Sequence, residues 1–333
     1  MAETRDAVPP PESRAARRAE AVIAVLLFAV AFTAFVSLGA LTGGGSERAA
    51  VLMLFVLLEG TYLAFSVRTV PAALRSVMHR DLPRALLGPV VLFAASMLYL
   101  RLTGASVGAR AGAFAAYLVL PALAVAGRAT PIGRPPVREL AAAVLLWLPI
   151  ELHLLPTLPI PVAGGYNAVP LLALVEGMYL FFVARPLEGI GYTYLLRWAD
   201  VARATMAFAL FAVIAVPLGL VTHFLAWHPV VSVPGVVVRP VLIYLVTAVP
   251  EEFLFRGLIQ NLLTRWLGAP RALPIAAVVF GFAHLPDPRY ALLAALAGVA
   301  YGWVYLRTGK ITASAVTHAL VDGVWVVLLR VGQ

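Results

Sequence analysis

The chain contains no cysteine and few charged residues. The lack of cysteine excludes disulfide bonds, thiolate metal ligands and a cysteine nucleophile. Only 12% of the 333 residues are Asp, Glu, Lys or Arg, whereas 62% are hydrophobic. Because a soluble domain is nearer half apolar and a quarter charged, this composition indicates an integral membrane protein with several spans.

The net charge of +9 is carried by residues that gather in alternate connections between apolar segments. Arg134 and Arg138 lie in one such connection, whereas the connection at 156–167 contains neither Lys nor Arg. This alternation follows the positive-inside rule and predicts a cytoplasmic N-terminus. The charge therefore points to membrane topology rather than to nucleic acid, and we expect a protein of the bacterial plasma membrane.

Apolar runs long enough to cross a bilayer recur along the chain. They predict an all-α, polytopic transmembrane helical bundle with about eleven spans. The predicted spans are 21–41, 49–67, 85–102, 111–127, 138–155, 168–184, 204–224, 236–264, 272–285, 290–306 and 311–330.

Three regions follow from this pattern. Residues 1–20 are polar, contain Pro9-Pro10-Pro11 and predict a disordered cytoplasmic tail. Residues 21–203 form an N-terminal transmembrane region, and residues 204–333 form a transmembrane domain that contains most of the unusual polar motifs.

An internal repeat lies within the N-terminal transmembrane region. The segment 57–68 aligns without gaps to the segment 174–185, and both contain Glu-Gly-x-Tyr-Leu and end in Arg. Glu59 and Glu176 are therefore equivalent intramembrane acids. A transport site is one interpretation. We favour a structural role in which each Glu holds neighbouring helices together by hydrogen bonds.

Six polar residues interrupt the apolar last third of the chain. Ionisable side chains within membrane spans are costly, so they usually face a protein-lined or water-filled cavity and mark function. These six residues fall on three of the last four apolar segments. They are Glu251, Glu252, Arg256, His284, His318 and Asp322.

Helical geometry sorts the two adjacent glutamates. Residues four apart share a face of an α-helix, which predicts an ion pair between Glu252 and Arg256. Glu251 points about 100° away from its neighbour, so we assign it to a cavity. Pro250 removes a backbone hydrogen bond and predicts a kink beside the two acids.

The polar residues also share a depth. Glu251, His284, His318 and Asp322 lie 8 to 14 residues from a basic residue at the cytoplasmic end of their own segment. At about 1.5 Å per residue, this separation is roughly 12–21 Å. Helices packed side by side would bring these residues to one level, so we expect a single site.

A Glu, two His and an Asp within a bilayer can support two kinds of chemistry. A glutamate can act as a general base on water, and a neutral histidine can orient that water, bind a metal or donate to an oxyanion. This set favours hydrolysis of an amide bond. Proton relay is the competing chemistry, because chains of Glu, His and Asp also serve pumps.

The motifs Glu-Glu-x-x-x-Arg, Phe-x-x-x-His and His-x-x-x-Asp occur in this order between residues 240 and 325. This ordered set resembles the CPBP family of intramembrane proteases, which includes the CAAX prenyl endopeptidases and bacteriocin-processing or immunity-type relatives. The resemblance implies that residues 204–333 are the catalytic transmembrane domain. Rival hydrolases fit poorly. The zinc motif His-Glu-x-x-His is absent, and Ser314 lacks the Gly-x-Ser context of a rhomboid-like serine protease.

The resemblance implies roles for the residues of the first two motifs. Glu251 would be the general base that activates water together with His284. Glu252 and Arg256 would support that base.

The third motif would form the oxyanion-stabilising side of the site. Asp322 stands where eukaryotic-type CAAX enzymes have Asn, and a carboxylate donates a hydrogen bond only when it is protonated. We favour a donor role for Asp322. In the metalloprotease interpretation, a divalent metal such as zinc would be held by Glu251, His284, His318 and Asp322.

The sequence therefore predicts an intramembrane endopeptidase that hydrolyses a peptide bond with glutamate-activated water. Its expected partners are a membrane-associated protein or peptide substrate and the lipid bilayer, and not nucleic acid. The alternative is a non-catalytic membrane adaptor or immunity protein, or a transporter, built on the same helices.

Overall fold

The computed structural model describes residues 13–77, 81–162, 165–232, 236, 238–285 and 287–331. Helix α1 begins at Arg14, because the Ser13 side chain accepts a hydrogen bond of 3.1 Å from the amide of Ala16 and caps the first turn. The last residues of the predicted tail are therefore helical. Residues 1–12 lie outside the described residues.

Helices cover every region predicted as a span. Their bounds are α1 (Arg14–Ser37), α2 (Gly45–Ala64), α3 (Thr69–Val77), α4 (Asp81–Leu102), α5 (Gly108–Val125), α6 (Val137–Glu151), α7 (Val169–Tyr179), α8 (Trp198–Val221), α9 (Arg239–Ile243), α10 (Val249–Glu252), α11 (Asn261–Leu267), α12 (Ala269–Phe282), α13 (Pro288–Thr308) and α14 (Ile311–Leu328). Within the described ranges, 6 helices are long and apolar enough to cross a membrane, or 7 if α2 and α3 count as one bent span. The chain is thus a helical integral membrane protein, and the predicted count of about eleven spans is not confirmed.

Two short antiparallel strand pairs accompany the helices and were not predicted. Strand β1 (Pro159–Ile160) pairs with β2 (Tyr166–Asn167). Strand β3 (Leu225–Trp227) pairs with β4 (Leu329–Val331). The second pair fastens the segment that follows α14 to the connection that follows α8.

One large hydrophobic core joins the two predicted transmembrane regions. Its buried members extend from Ala40, before α2, to Ala319 in α14. Helix α8 begins at Trp198 and therefore crosses the boundary predicted at residue 203. The two regions share this core and are therefore not separate in packing. Their division at 203/204 stays a prediction.

Small residues let α13 approach its neighbours closely. A Cβ atom added at Gly298 would lie 2.9 Å from the Cα of Ala277 in α12. One added at Gly302 would lie 2.5 Å from the side-chain oxygen of Gln260. The pattern Gly298-Val-Ala-Tyr-Gly302 therefore serves close helix packing, as small residues do in membrane proteins.

The two copies of the repeat form α2 and α7 with the turns that follow them. Glu176 in α7 is 0% exposed, and neither of its carboxylate oxygens has a hydrogen-bond partner among the described residues. The predicted hydrogen-bonding role of Glu176 is therefore wrong. Glu59 in α2 is half-buried and lines a cavity of about 50 Å³ together with Tyr62 and Tyr166.

Residues 239–267 form one continuous helical run that carries both motif glutamates, which we call the glutamate helix. It consists of α9, a π-helical segment at Tyr244–Ala248, α10, a second π-helical segment at Phe253–Gln260, and α11. Pro250 lies in α10, between the two π segments, and has no amide hydrogen for the backbone ladder. Wider turns, which frequently mark functional sites, thus flank Pro250 on both sides. The kink predicted at this proline stays a prediction.

Candidate active site

Glu252 and Arg256 form the buried centre of the polar cluster. Their exposed fractions are 0% and 1%, and Arg256 Nη1 lies 3.0 Å from Glu252 Oε1. The predicted ion pair is therefore present. Arg256 Nη2 also donates to the carbonyl of Gly298 at 3.2 Å, and its guanidinium carbon lies 4.5 Å from the ring centroid of Phe280. Helices α12 and α13 thus both contact this cation.

Two residues of α14 complete the hydrogen bonding of Glu252. Ser314 Oγ donates to Glu252 Oε2 at 2.6 Å, and His318 Nδ1 lies 2.9 Å from Glu252 Oε1. Because an ionised carboxylate only accepts hydrogen bonds, Nδ1 of His318 carries a proton. The sequence considered Ser314 only as a nucleophile. Its spacing of four from His318 places both on one face of α14, and this spacing was the signal for its role.

The second nitrogen of His318 faces the rest of the cluster. His318 Nε2 lies 3.8 Å from Glu251 Oε2 and 3.5 Å from Asp322 Oδ2. The ring stacks on Tyr301, with centroids 4.6 Å apart and an interplanar angle of 15°. Sequence reasoning missed Tyr301, because the pattern of a helix does not distinguish a ring that orients a histidine from one that fills a core.

Glu251 is open where Glu252 is enclosed. The Glu251 side chain is 36% exposed, and it lines a cavity of about 410 Å³ together with Glu151, Thr247 and His284. A water molecule occupies about 30 Å³ of the liquid, so this cavity has room for several waters or for part of a peptide. The geometry agrees with the assignment of Glu251 to a cavity and of Glu252 to the arginine.

His284 borders two cavities. Its Nδ1 lies 2.7 Å from the carbonyl oxygen of Phe280. A carbonyl can only accept, so Nδ1 carries a proton and Nε2 of the neutral ring is an acceptor. His284 lines the cavity of Glu251 and also a second cavity of about 70 Å³ that contains His318 and Asp322. His284 therefore shares one cavity with Glu251 and the other with His318 and Asp322. Glu252 and Arg256 join the cluster through the contact of Glu252 with His318.

Comparison with known proteins identifies this part of the chain. Residues 232–324 match the family model described as type II CAAX prenyl endopeptidase, Rce1-like, and the match includes all six residues of the cluster. This segment is similar to the Rce1-like family over 93 of the 333 residues. The family predicted from the three motifs is thereby confirmed. No curated protein and no solved structure matches the chain.

The Rce1-like segment gives no support to the metal hypothesis. Among the described residues, no group of three or more His, Cys, Asp or Glu side chains is arranged to hold a metal ion. His318 Nδ1 contacts Glu252, and His284 Nδ1 contacts the carbonyl of Phe280.

Proposed function

We propose that this protein is an intramembrane endopeptidase that hydrolyses a peptide bond in a membrane-associated protein or peptide. The observation that carries the proposal is the contrast between two adjacent acids. Glu252 accepts from Arg256, Ser314 and His318, whereas Glu251 opens onto a cavity of about 410 Å³. The family match supports a CAAX-type protease, and the open acid supports a base that acts on water.

Water between Glu251 and His284 would meet two acceptors. Nε2 of His284 accepts one hydrogen of the water, and Glu251 takes the other proton as the oxygen attacks the peptide carbonyl carbon. The proton on Glu251 then passes to the departing amine. Glu251 therefore acts first as a base and then as an acid, without a covalent intermediate.

The tetrahedral intermediate needs a hydrogen-bond donor for its oxyanion. His318 is the side chain in position to supply one, because its Nε2 lies on the same side as Glu251 and Asp322, at 3.8 and 3.5 Å from their oxygens. The ring donates from Nε2 when both of its nitrogens carry protons. Glu252 and Tyr301 hold this ring in place through Nδ1 and through stacking.

The proposal is tested by comparing the membrane peptides of cells that express the native protein with those of cells that express Glu251→Gln. We expect a set of cleaved peptides that disappears in the variant, and the masses of these peptides would reveal whether the substrates are prenylated. Identical peptides in both cells would contradict the proposal. Ion-coupled uptake that is lost in Glu59→Ala and Glu176→Ala would instead support the transporter alternative.

A further inference from the structure

Pro250 leaves one backbone carbonyl of the glutamate helix without its donor. In the preceding π segment the amide of Val249 bonds to the carbonyl of Tyr244, five residues earlier. The next bond of this register would join residue 250 to the carbonyl of Leu245. Proline has no amide hydrogen, so this bond cannot form. A buried carbonyl without a donor is costly within a membrane.

A residue of the N-terminal region supplies the missing donor. The hydroxyl of Tyr62, in α2, donates to the carbonyl of Leu245 at 3.0 Å. Tyr62 is 1% exposed, and 183 positions separate it from Leu245 in the sequence. The first copy of the repeat therefore completes the backbone hydrogen bonding of the turn directly before Glu251.

Further tyrosines fix the hydroxyl of Tyr62. Tyr194 donates to the Tyr62 oxygen at 2.8 Å, and the hydroxyl of Tyr192 lies 3.2 Å from that of Tyr194. The ring of Tyr194 packs on Tyr244, with a centroid distance of 6.2 Å. Because its oxygen already accepts from Tyr194, Tyr62 directs its own proton to Leu245.

We propose that Tyr62 is a positioning residue for Glu251, which it holds through the backbone of the glutamate helix. This inference rests on the proposed function, because positioning has a catalytic effect only if Glu251 is the base. It also gives the first copy of the repeat a task in the active site. A catalytic group that is misplaced by about 1 Å can lose about 100-fold in rate.

The first test is the variant Tyr62→Phe, which removes only the hydroxyl. We expect kcat to fall about 10- to 100-fold while KM changes less than about threefold, because the cavity keeps its lining and only the base moves. The matched control is Tyr179→Phe, the same change at the equivalent position of the second copy, whose hydroxyl donates to the carbonyl of Arg84. The control should leave both constants unchanged.

A double-mutant cycle separates positioning from general loss of packing. The variant Pro250→Ala restores an amide hydrogen that can reach the carbonyl of Leu245. In that background, Tyr62→Phe should lower kcat by less than about threefold, since the carbonyl no longer depends on the tyrosine. Equal losses of kcat in both backgrounds would overturn the proposal.

Hydrogen exchange tests the contact without any need for activity. In the purified full chain, Tyr62→Phe should speed amide exchange in peptides that cover residues 246–253, and Tyr179→Phe should not. If the native protein cleaves nothing but exchange responds in this way, the proposed function fails and the contact stands. Unchanged exchange together with unchanged kcat would overturn the positioning role.

A second variant covers the case in which Tyr62→Phe does not fold. Tyr194→Phe removes the hydroxyl that donates to Tyr62 and should also lower kcat. An unchanged kcat in Tyr194→Phe would overturn the positioning role.

Discussion

The candidate site has a closed half and an open half, and they differ in what their side chains contact. The closed half consists of Glu252, Arg256 and Ser314, which are buried and hydrogen-bonded to one another or to backbone carbonyls. The open half includes Glu251 and Asp322, whose side chains are 36% and 33% exposed and line cavities. Two acids that are neighbours in the sequence thus have opposite surroundings.

Glu251 and Glu252 are one helical step apart, yet one is placed for the reaction and the other for stability. A rotation of about 100° turns Glu252 into the bundle and Glu251 into the cavity. A buried carboxylate that accepts from three side chains depends on its partners, and breaking such an ion pair is strongly destabilising. A carboxylate beside a cavity can exchange protons with water. We therefore expect changes in the closed half to affect the fold and changes in the open half to affect the reaction.

The largest effect is expected for Glu251→Gln. The side chain keeps its size but loses the ability to take a proton, so the rate should fall by about 10²–10⁴-fold, the usual contribution of a general base. Thermal unfolding of the purified variant should match that of the native protein, because Glu251 is partly exposed. The rate is measured on a substrate identified by comparing the membrane peptides of native and Glu251→Gln cells. Normal proteolysis by this variant would contradict the assignment of Glu251 as the general base.

Arg256→Ala probes the closed half. The change leaves Glu252 as a buried acid without its cation, which should lower the free energy of unfolding by about 3–5 kcal/mol. Less folded protein in the membrane and a lower unfolding temperature in detergent are the expected results. A variant that folds normally but has lost activity would give Arg256 a direct role in the reaction. It would contradict the assignment of stability to the closed half and of chemistry to the open half.

Ser314→Ala is a milder change in the same half. It removes a hydrogen bond of 2.6 Å to a carboxylate, and a hydrogen bond to a charged group contributes about 1.5–3 kcal/mol. We expect a loss of stability in this range with catalysis retained in the folded fraction. Complete loss of activity in stable protein would instead indicate a direct role for this hydroxyl in the reaction.

The smallest effect is expected for Asp322→Asn in the open half. Asn donates a hydrogen bond at every pH, whereas Asp donates only when it is protonated. If Asp322 is a donor, the variant should stay within about fivefold of the native rate, which corresponds to about 1 kcal/mol. Its activity should also persist to higher pH, because the Asn side chain does not titrate.

A pH–rate profile of both proteins, with and without chelator, checks this expectation. Activity that is lost in Asp322→Asn and restored by excess metal would rule out the donor role. It would also revive the metal hypothesis, for which the described residues offer no arrangement of three or more ligands.

Equivalent residues of the two repeat copies make different contacts, which their shared sequence pattern does not predict. Equivalent tyrosines of the two copies donate to different places: Tyr62 to the glutamate helix and Tyr179 to the carbonyl of Arg84. Equivalent glutamates differ as well, because Glu59 lines a cavity and Glu176 is sealed without a hydrogen-bond partner among the described residues. Two copies with one pattern received different tasks because different helices pack against them.

The sequence by itself determined the membrane class, the helical regions and the six polar residues of the site. Apolar runs require helices because the backbone must satisfy its own hydrogen bonds in lipid. A spacing of four residues was enough to pair Glu252 with Arg256, and this pair is present at 3.0 Å. These features depend on local geometry and on the cost of burying charge, and both can be read along the chain.

Only the tertiary structure decided which groups surround that site. Ser314 and Tyr301 contact Glu252 and His318 because α13 and α14 pack beside the glutamate helix. Tyr62 reaches the carbonyl of Leu245 across 183 positions of sequence. Contacts of this range depend on how helices dock, and the apolar pattern of a single helix states which face is buried without stating which partner covers it.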